Sequence, residues 1–129
     1  MTRSRGFTLI ELITVIAILG ALAVIALPKY IDLQTQAQDA AAKGVAGSLT
    51  AGTATNLAGA IAGNSAAVSV QSCANAENTL SGGALPTSYS IRSAASFAAT
   101  QGSVTNCKVV LKDGGNVATS ATFQAYATP

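Results

Sequence analysis

Histidine and tryptophan are missing from this chain of 129 residues, and charged side chains make up only 9% of it. The acids are Glu11, Asp32, Asp39, Glu77 and Asp113, dispersed singly and never paired. Acid–base catalysis and metal binding draw on imidazoles and clustered carboxylates, so neither an enzyme nor a metal centre nor a cofactor is expected. Of seven lysines and arginines, Arg3 and Arg5 lie in the first six residues; without them five basic groups face five acids. A neutral body carries no electrostatic footprint for nucleic acid, and none is expected as a partner. Aromatics are 5% of the chain, and much of its 50% apolar share is alanine, so large side chains for a core are scarce. A thin core calls for a staple.

Two cysteines offer one. Cys73 and Cys107 lie far apart, with no CxxC pair and no histidine to share a metal or a proton. They read as a disulfide made in an oxidising compartment, the alternative being two buried free thiols. Closing the loop between them would stabilise the fold by about 4 kcal/mol in the chain-entropy description.

Phe7 to Leu27 is a mostly apolar run of 21 residues. As a helix it would be about 31 Å long, against roughly 30 Å of hydrocarbon, and can span a membrane once. Arg3 and Arg5 precede it and hold the amino terminus on the cytoplasmic side, sending the remainder, with both cysteines, outward.

From Pro28 to Gly63 the composition turns to Gln, Asp, Lys and Ala, and the pattern continues the helix in amphipathic form. The larger apolar residues Leu33, Val45, Leu49, Leu57 and Ile61 wind most of the way round such a helix. Leu33, Ala37, Ala40, Gly44, Ala51 and Ala58 instead stay within about 60° of one another, a small-residue face that another helix or a sheet could approach closely. Gly44, Gly47, Gly52 and Gly59 would each cost about 1 kcal/mol relative to alanine, so this half needs support from a packed domain.

Asn64 and Ser65 end the helical pattern, and residues 64–129 read as a small globular domain. A loop-rich stretch with turn signals at Ser81-Gly82-Gly83 and Pro86 runs to about Gly102, with a short strand at Tyr89 to Arg92. Val104 to Leu111, then Asp113-Gly114-Gly115-Asn116, then Val117 to Tyr126 reads as strand, turn, strand. Cys107, Val109 and Leu111 would share one face, and Phe123 and Ala125 the matching face of the partner, giving a half-buried hairpin against the second half of the helix. The fold class is therefore α+β: a long amino-terminal helix on a small antiparallel sheet.

The string Arg5-Gly6-Phe7-Thr8-Leu9-Ile10-Glu11-Leu12 resembles the processing and methylation site of type IV pilins and pseudopilins, and Pro28 falls where that family often has its first proline. The resemblance is specific over the first quarter of the chain; beyond it only the layout agrees. It implies that residues 1–6 are a leader cut after Gly6 by a prepilin peptidase, and that Phe7 becomes the methylated, still cationic, amino terminus. It implies that Glu11 neutralises the terminal amine of a neighbouring subunit during assembly. It also implies a homopolymer built by inner-membrane machinery, first a membrane precursor and then an extracellular filament.

The residues themselves bear on this reading. A carboxylate inside an apolar span costs about 3 kcal/mol and needs a partner. On a helix Glu11 lies one turn, about 6 Å, from Phe7; the alternative is an interfacial acid eased by its own helix N-terminus. Pro28 cannot donate to the carbonyl of Val24, and Gly20 weakens the helix earlier, so the two bracket either a soft segment or a plain kink. Three other readings compete: a pseudopilin of a type II secretion system, a secretory protein cleaved after Ala21-Leu22-Ala23, and an anchored domain that never polymerises. Glu11 inside the would-be signal argues against the second. With only Phe7 and Tyr30 as aromatics on the long helix, electron conduction finds little support.

Overall fold

In the computed structural model residues 6–92 and 100–129 are described; Arg3 and Arg5 lie outside them. One helix, α1 (Leu9–Ile61), precedes a 3-10 helix at Cys73–Thr79 and three strands, β1 (Tyr89–Ile91), β2 (Val104–Asp113) and β3 (Asn116–Tyr126). The chain divides into two compact units, the first ending at Gln36 and the second beginning at Ala37.

The first unit is helix from Leu9, and its apolar side chains are exposed on every side. Gly20 and Pro28 both lie within unbroken helix. The missing Pro28 N–H removes one bond from the ladder without ending it, as neighbouring turns on both sides remain bonded.

The second unit sets residues 37–61 of α1 against an antiparallel sheet of order β1-β2-β3. β2 and β3 form a hairpin with Cys107 opposite Phe123 and Val109 opposite Ala121. Gly114 and Gly115 turn the chain at φ +56° and +90°, values only glycine adopts freely in succession, and they match the right-handed twist of the strands. The strands therefore run up to the turn, through Asp113 and from Asn116, slightly beyond the expected ends. β1 pairs Ile91 with Val109 and closes one residue before the expected Arg92, although the Arg92 N–H still reaches the Lys108 carbonyl at 2.9 Å.

Half of the core cluster is alanine: Ala42, Ala46, Ala76, Ala121 and Ala125 pack with Leu49, Cys73, Cys107, Val109 and Phe123. Burying an alanine releases little apolar area, so among the described residues of this cluster Leu49 and Phe123, with Val109, contribute the larger shares of hydrophobic stabilisation. The expected staple is present. Cys73 and Cys107 are joined with their Cα atoms 5.7 Å apart, and both are fully buried. The bond anchors the 3-10 helix to the helix-facing side of β2, a segment the sequence read only as loop.

The small-residue face is corrected by this packing. Ala37, Ala40, Gly44, Ala51 and Ala58 are exposed, while Ala42, Ala46, Leu49 and Thr53 are buried, about half a turn away around the helix axis. Thr53 belongs to the packed side because its hydroxyl lies 3.3 Å from the Gln124 carbonyl, and the Gln124 N–H donates to Thr50 Oγ1 at 3.2 Å. Two threonines thus meet the open edge of β3. Farther along, the Thr119 hydroxyl is hydrogen-bonded to the Asp39 carboxylate, tying the hairpin to the start of this stretch of helix.

Candidate functional site

The residues singled out for processing and assembly gather at the start of α1. Gly6 and Phe7 precede the helix without regular structure, and a Cβ on Gly6 would meet nothing within 4 Å. Phe7 is 87% exposed. A peptide bond presented this way, ahead of the first helical turn, is open to a protease.

Thr8 is the residue that starts the helix, and it does so with Glu11. The Glu11 N–H donates to Thr8 Oγ1 at 3.3 Å, while the Thr8 N–H and hydroxyl both donate to Glu11 Oε2, at 2.9 and 2.7 Å. This reciprocal arrangement is a capping box, in which residues three apart satisfy donors that the first turn would leave orphaned. Thr8-Leu9-Ile10-Glu11 carries its T-x-x-E signature, so the signal for the box lies in the sequence, where Thr8 otherwise stands out only as part of the motif string. The box realises the alternative in which Glu11 is eased by its own helix start. Among the described residues no hydrogen bond is made to Glu11 Oε1.

Beyond the box and as far as Leu27, every side chain of the helix except Thr14 is apolar or glycine. Thr14, a second residue the sequence reading passed over, places its hydroxyl 2.7 Å from the Ile10 carbonyl. A hydroxyl satisfied in this way can lie in hydrocarbon at small cost. The most apolar window of α1 has mean hydropathy 2.7 and none of it is buried. Leu9, Ile16, Leu19, Val24 and Ile25 each stand more than half exposed, a surface that needs lipid or other helices to cover it. Glu11 is the only charged group between Phe7 and Leu27.

The remaining candidates lie elsewhere. Gly20 and Pro28 follow along the same helix, and Cys73 and Cys107 belong to the second unit, where they staple rather than react. Among the described residues no three His, Cys, Asp or Glu side chains converge as metal ligands. A groove of about 510 Å³ in the second unit is wide open and lined by uncharged groups including Ser48, Thr55, Asn56 and Asn78.

Residues 1–27 match the family described as the prokaryotic N-terminal methylation motif. The chain is 42% identical over 78 residues to the type IV major alpha-pilin of Moraxella bovis, covering 60% of this chain and 47% of that protein. It is 54% identical over 41 residues to the type IV major pilin protein PilA of Myxococcus xanthus, covering 32% and 19%. With the type IV major pilin protein PilE1 of Neisseria gonorrhoeae it shares 60% over 37 residues, covering 29% and 22%. These matches span less than half the length of each relative. No solved structure matches the chain. By their names the relatives are pilins, not enzymes, and the motif and the matches together support a type IV pilin.

Proposed function

We infer that this chain is a structural subunit of a type IV pilus, inserted in the inner membrane as a precursor and then polymerised through its amino-terminal helix into an extracellular filament. The observation that carries this reading is a lone carboxylate, Glu11, four residues after Phe7 on a stretch of helix, up to Leu27, whose apolar side chains are exposed all round. Cleavage after Gly6 by a prepilin peptidase frees an amine on Phe7, which methylation leaves cationic. Glu11 of one subunit then neutralises the Phe7 amine of its neighbour while the apolar helices cover one another.

Packed helices shield such a charge pair from water, and removing one partner strands the other at a cost of about 3 to 5 kcal/mol, a hundredfold or more in affinity at each addition. Glu11→Ala, expressed as the only subunit, should therefore be inserted and cleaved but should yield no long filaments. The intact mass of the exported protein reports cleavage and methylation, and electron microscopy of sheared surface material reports assembly. A mature chain beginning at Met1 or at Val24, or abundant filaments of processed Glu11→Ala, would overturn this function.

A further inference from the structure

The basic side chains of the second unit, Lys43, Arg92, Lys108 and Lys112, gather on one surface. Cys107 and Val109 are buried toward α1, so the alternate residues Asn106, Lys108 and Lys112 of β2 stand on the opposite face of the sheet. Ile91 pairs with Val109 and the Arg92 N–H meets the Lys108 carbonyl at 2.9 Å, which brings Arg92 opposite Lys108 on that face. On its other side Lys108 pairs with Thr122 of β3. Next to Thr122 the edge of β3 borders a groove of about 480 Å³, whose α1 wall includes Lys43, Gly47 and Thr50. Arg92, Lys108, Thr122 and Lys43 therefore form a row across the strands and over the sheet edge.

We propose that this surface binds an acidic polysaccharide, with its carboxylates received by Arg92, Lys108 and Lys43 and its hydroxyls by Thr122 and Ser120. The proposal stands apart from the pilus-subunit function inferred above. Like charges directly opposite one another across two strands repel, so the Arg92–Lys108 pair weakens the sheet until an anion lies between them. A guanidinium also offers a carboxylate two parallel N–H groups. Lys43, Arg92, Lys108 and Lys112 are all exposed, and their side chains make no hydrogen bond or ion pair among the described residues. The outward positions of β2 and β3 carry no acid, and residues 93–99, which follow Arg92, carry no charge. Asp39, one turn before Lys43, is held by the Thr119 hydroxyl.

The kind of polymer follows from the spacing. Neighbouring strands lie about 4.8 Å apart, so the row sets separate cations among hydroxyls and suits a chain whose charges alternate with hydroxyl groups. Duplex DNA carries one charge per about 1.7 Å, and single strands call for aromatic faces to stack on, of which the row has none.

The test uses the full-length protein in uncharged detergent, with polygalacturonate as the probe and dextran as its neutral control. Polygalacturonate should bind saturably and dextran should not, and the affinity should fall about tenfold or more between about 50 and 200 mM salt. Arg92→Gln with Lys108→Gln should weaken binding about tenfold, and Lys43→Gln severalfold, whereas Lys29→Gln in the first unit should leave it unchanged. Lys112→Glu, at an exposed site beside the hairpin turn, is a second variant that leaves the core untouched and should also weaken binding. Absence of saturable binding, undiminished binding by the Arg92/Lys108 variant or by Lys112→Glu, or an equal loss from Lys29→Gln would overturn the proposal. Tighter binding of duplex DNA than of polygalacturonate at matched charge would overturn it as well.

Discussion

The side-chain amide of Asn56 holds both backbone groups of Val68. Its Oδ1 accepts the Val68 N–H at 2.8 Å and its Nδ2 donates to the Val68 carbonyl at 2.7 Å, so one side chain pairs with the loop as a strand would. The same Nδ2 reaches Thr128 Oγ1 at 3.1 Å, near the bridge in which the Val70 and Thr128 backbones bond reciprocally at 2.9 and 3.1 Å. Helix, loop and carboxyl terminus are thereby joined at one residue.

Asn56→Ala would leave the half-buried Val68 N–H and C=O without their partner, at a cost of about 2 to 3 kcal/mol. For a unit of this size that lowers Tm by about 10 °C or more in the full-length protein in detergent. Asn56→Asp keeps the acceptor but places a carboxylate oxygen against the Val68 carbonyl, and should cost at least as much. Thermal unfolding followed by circular dichroism checks both; an unchanged Tm for either would remove Asn56 from the structural account.

Cys73 and Cys107 are each fully buried, so reductant reaches their bond only when the second unit opens. Mild reductant should leave the native protein unlabelled by a thiol reagent, whereas reductant with denaturant should expose both thiols. Cys73→Ser with Cys107→Ser should lose about 4 kcal/mol in the chain-entropy description, a large fraction of what a thin core supplies. Labelling of either cysteine in unreduced, denatured protein would mean the staple is absent.

Much of this fold was legible because its signals are local. The apolar run, the Gly-Gly turn with alternating residues on either side, and the isolated cysteine pair each specify their element without reference to the rest. The packed face of α1 was misread because alanine carries no directional information: Ala42 and Ala46 are buried while Ala40 and Ala51 are not. What selects the side is Leu49 together with Thr53, and Thr53 earns its place through a bond to Gln124, 71 residues away. The 3-10 helix at Cys73–Thr79 has no apolar period of its own and forms where the disulfide brings Cys73 to β2. At the start of α1, Glu11 stands out in the sequence by its cost in hydrocarbon, whereas Thr8 does not, because its contribution is paired hydrogen bonding, not charge.

The glycines in the second half of α1 separate along the same lines, and they give the sharpest test of the packing. A Cβ built on Gly52 would lie 2.7 Å from Thr79 Oγ1 and 3.2 Å from the Thr79 carbonyl oxygen, whereas on Gly44 or Gly47 it would meet nothing within 4 Å. The Thr79 hydroxyl can rotate away, but the carbonyl belongs to the end of the 3-10 helix and cannot yield without moving the segment that Cys73 anchors. Gly52→Ala therefore sets a gain of about 1 kcal/mol in helix propensity against about 1 to 3 kcal/mol of overpacking, and should be neutral to destabilising. Gly44→Ala and Gly47→Ala collect the gain alone, raising Tm by about 4 to 8 °C each. Calorimetry of the three variants in detergent measures the contrast. Equal stabilisation by all three would mean that the 3-10 helix does not sit against Gly52, and with it the placement of the disulfide-tethered segment on α1 would fall.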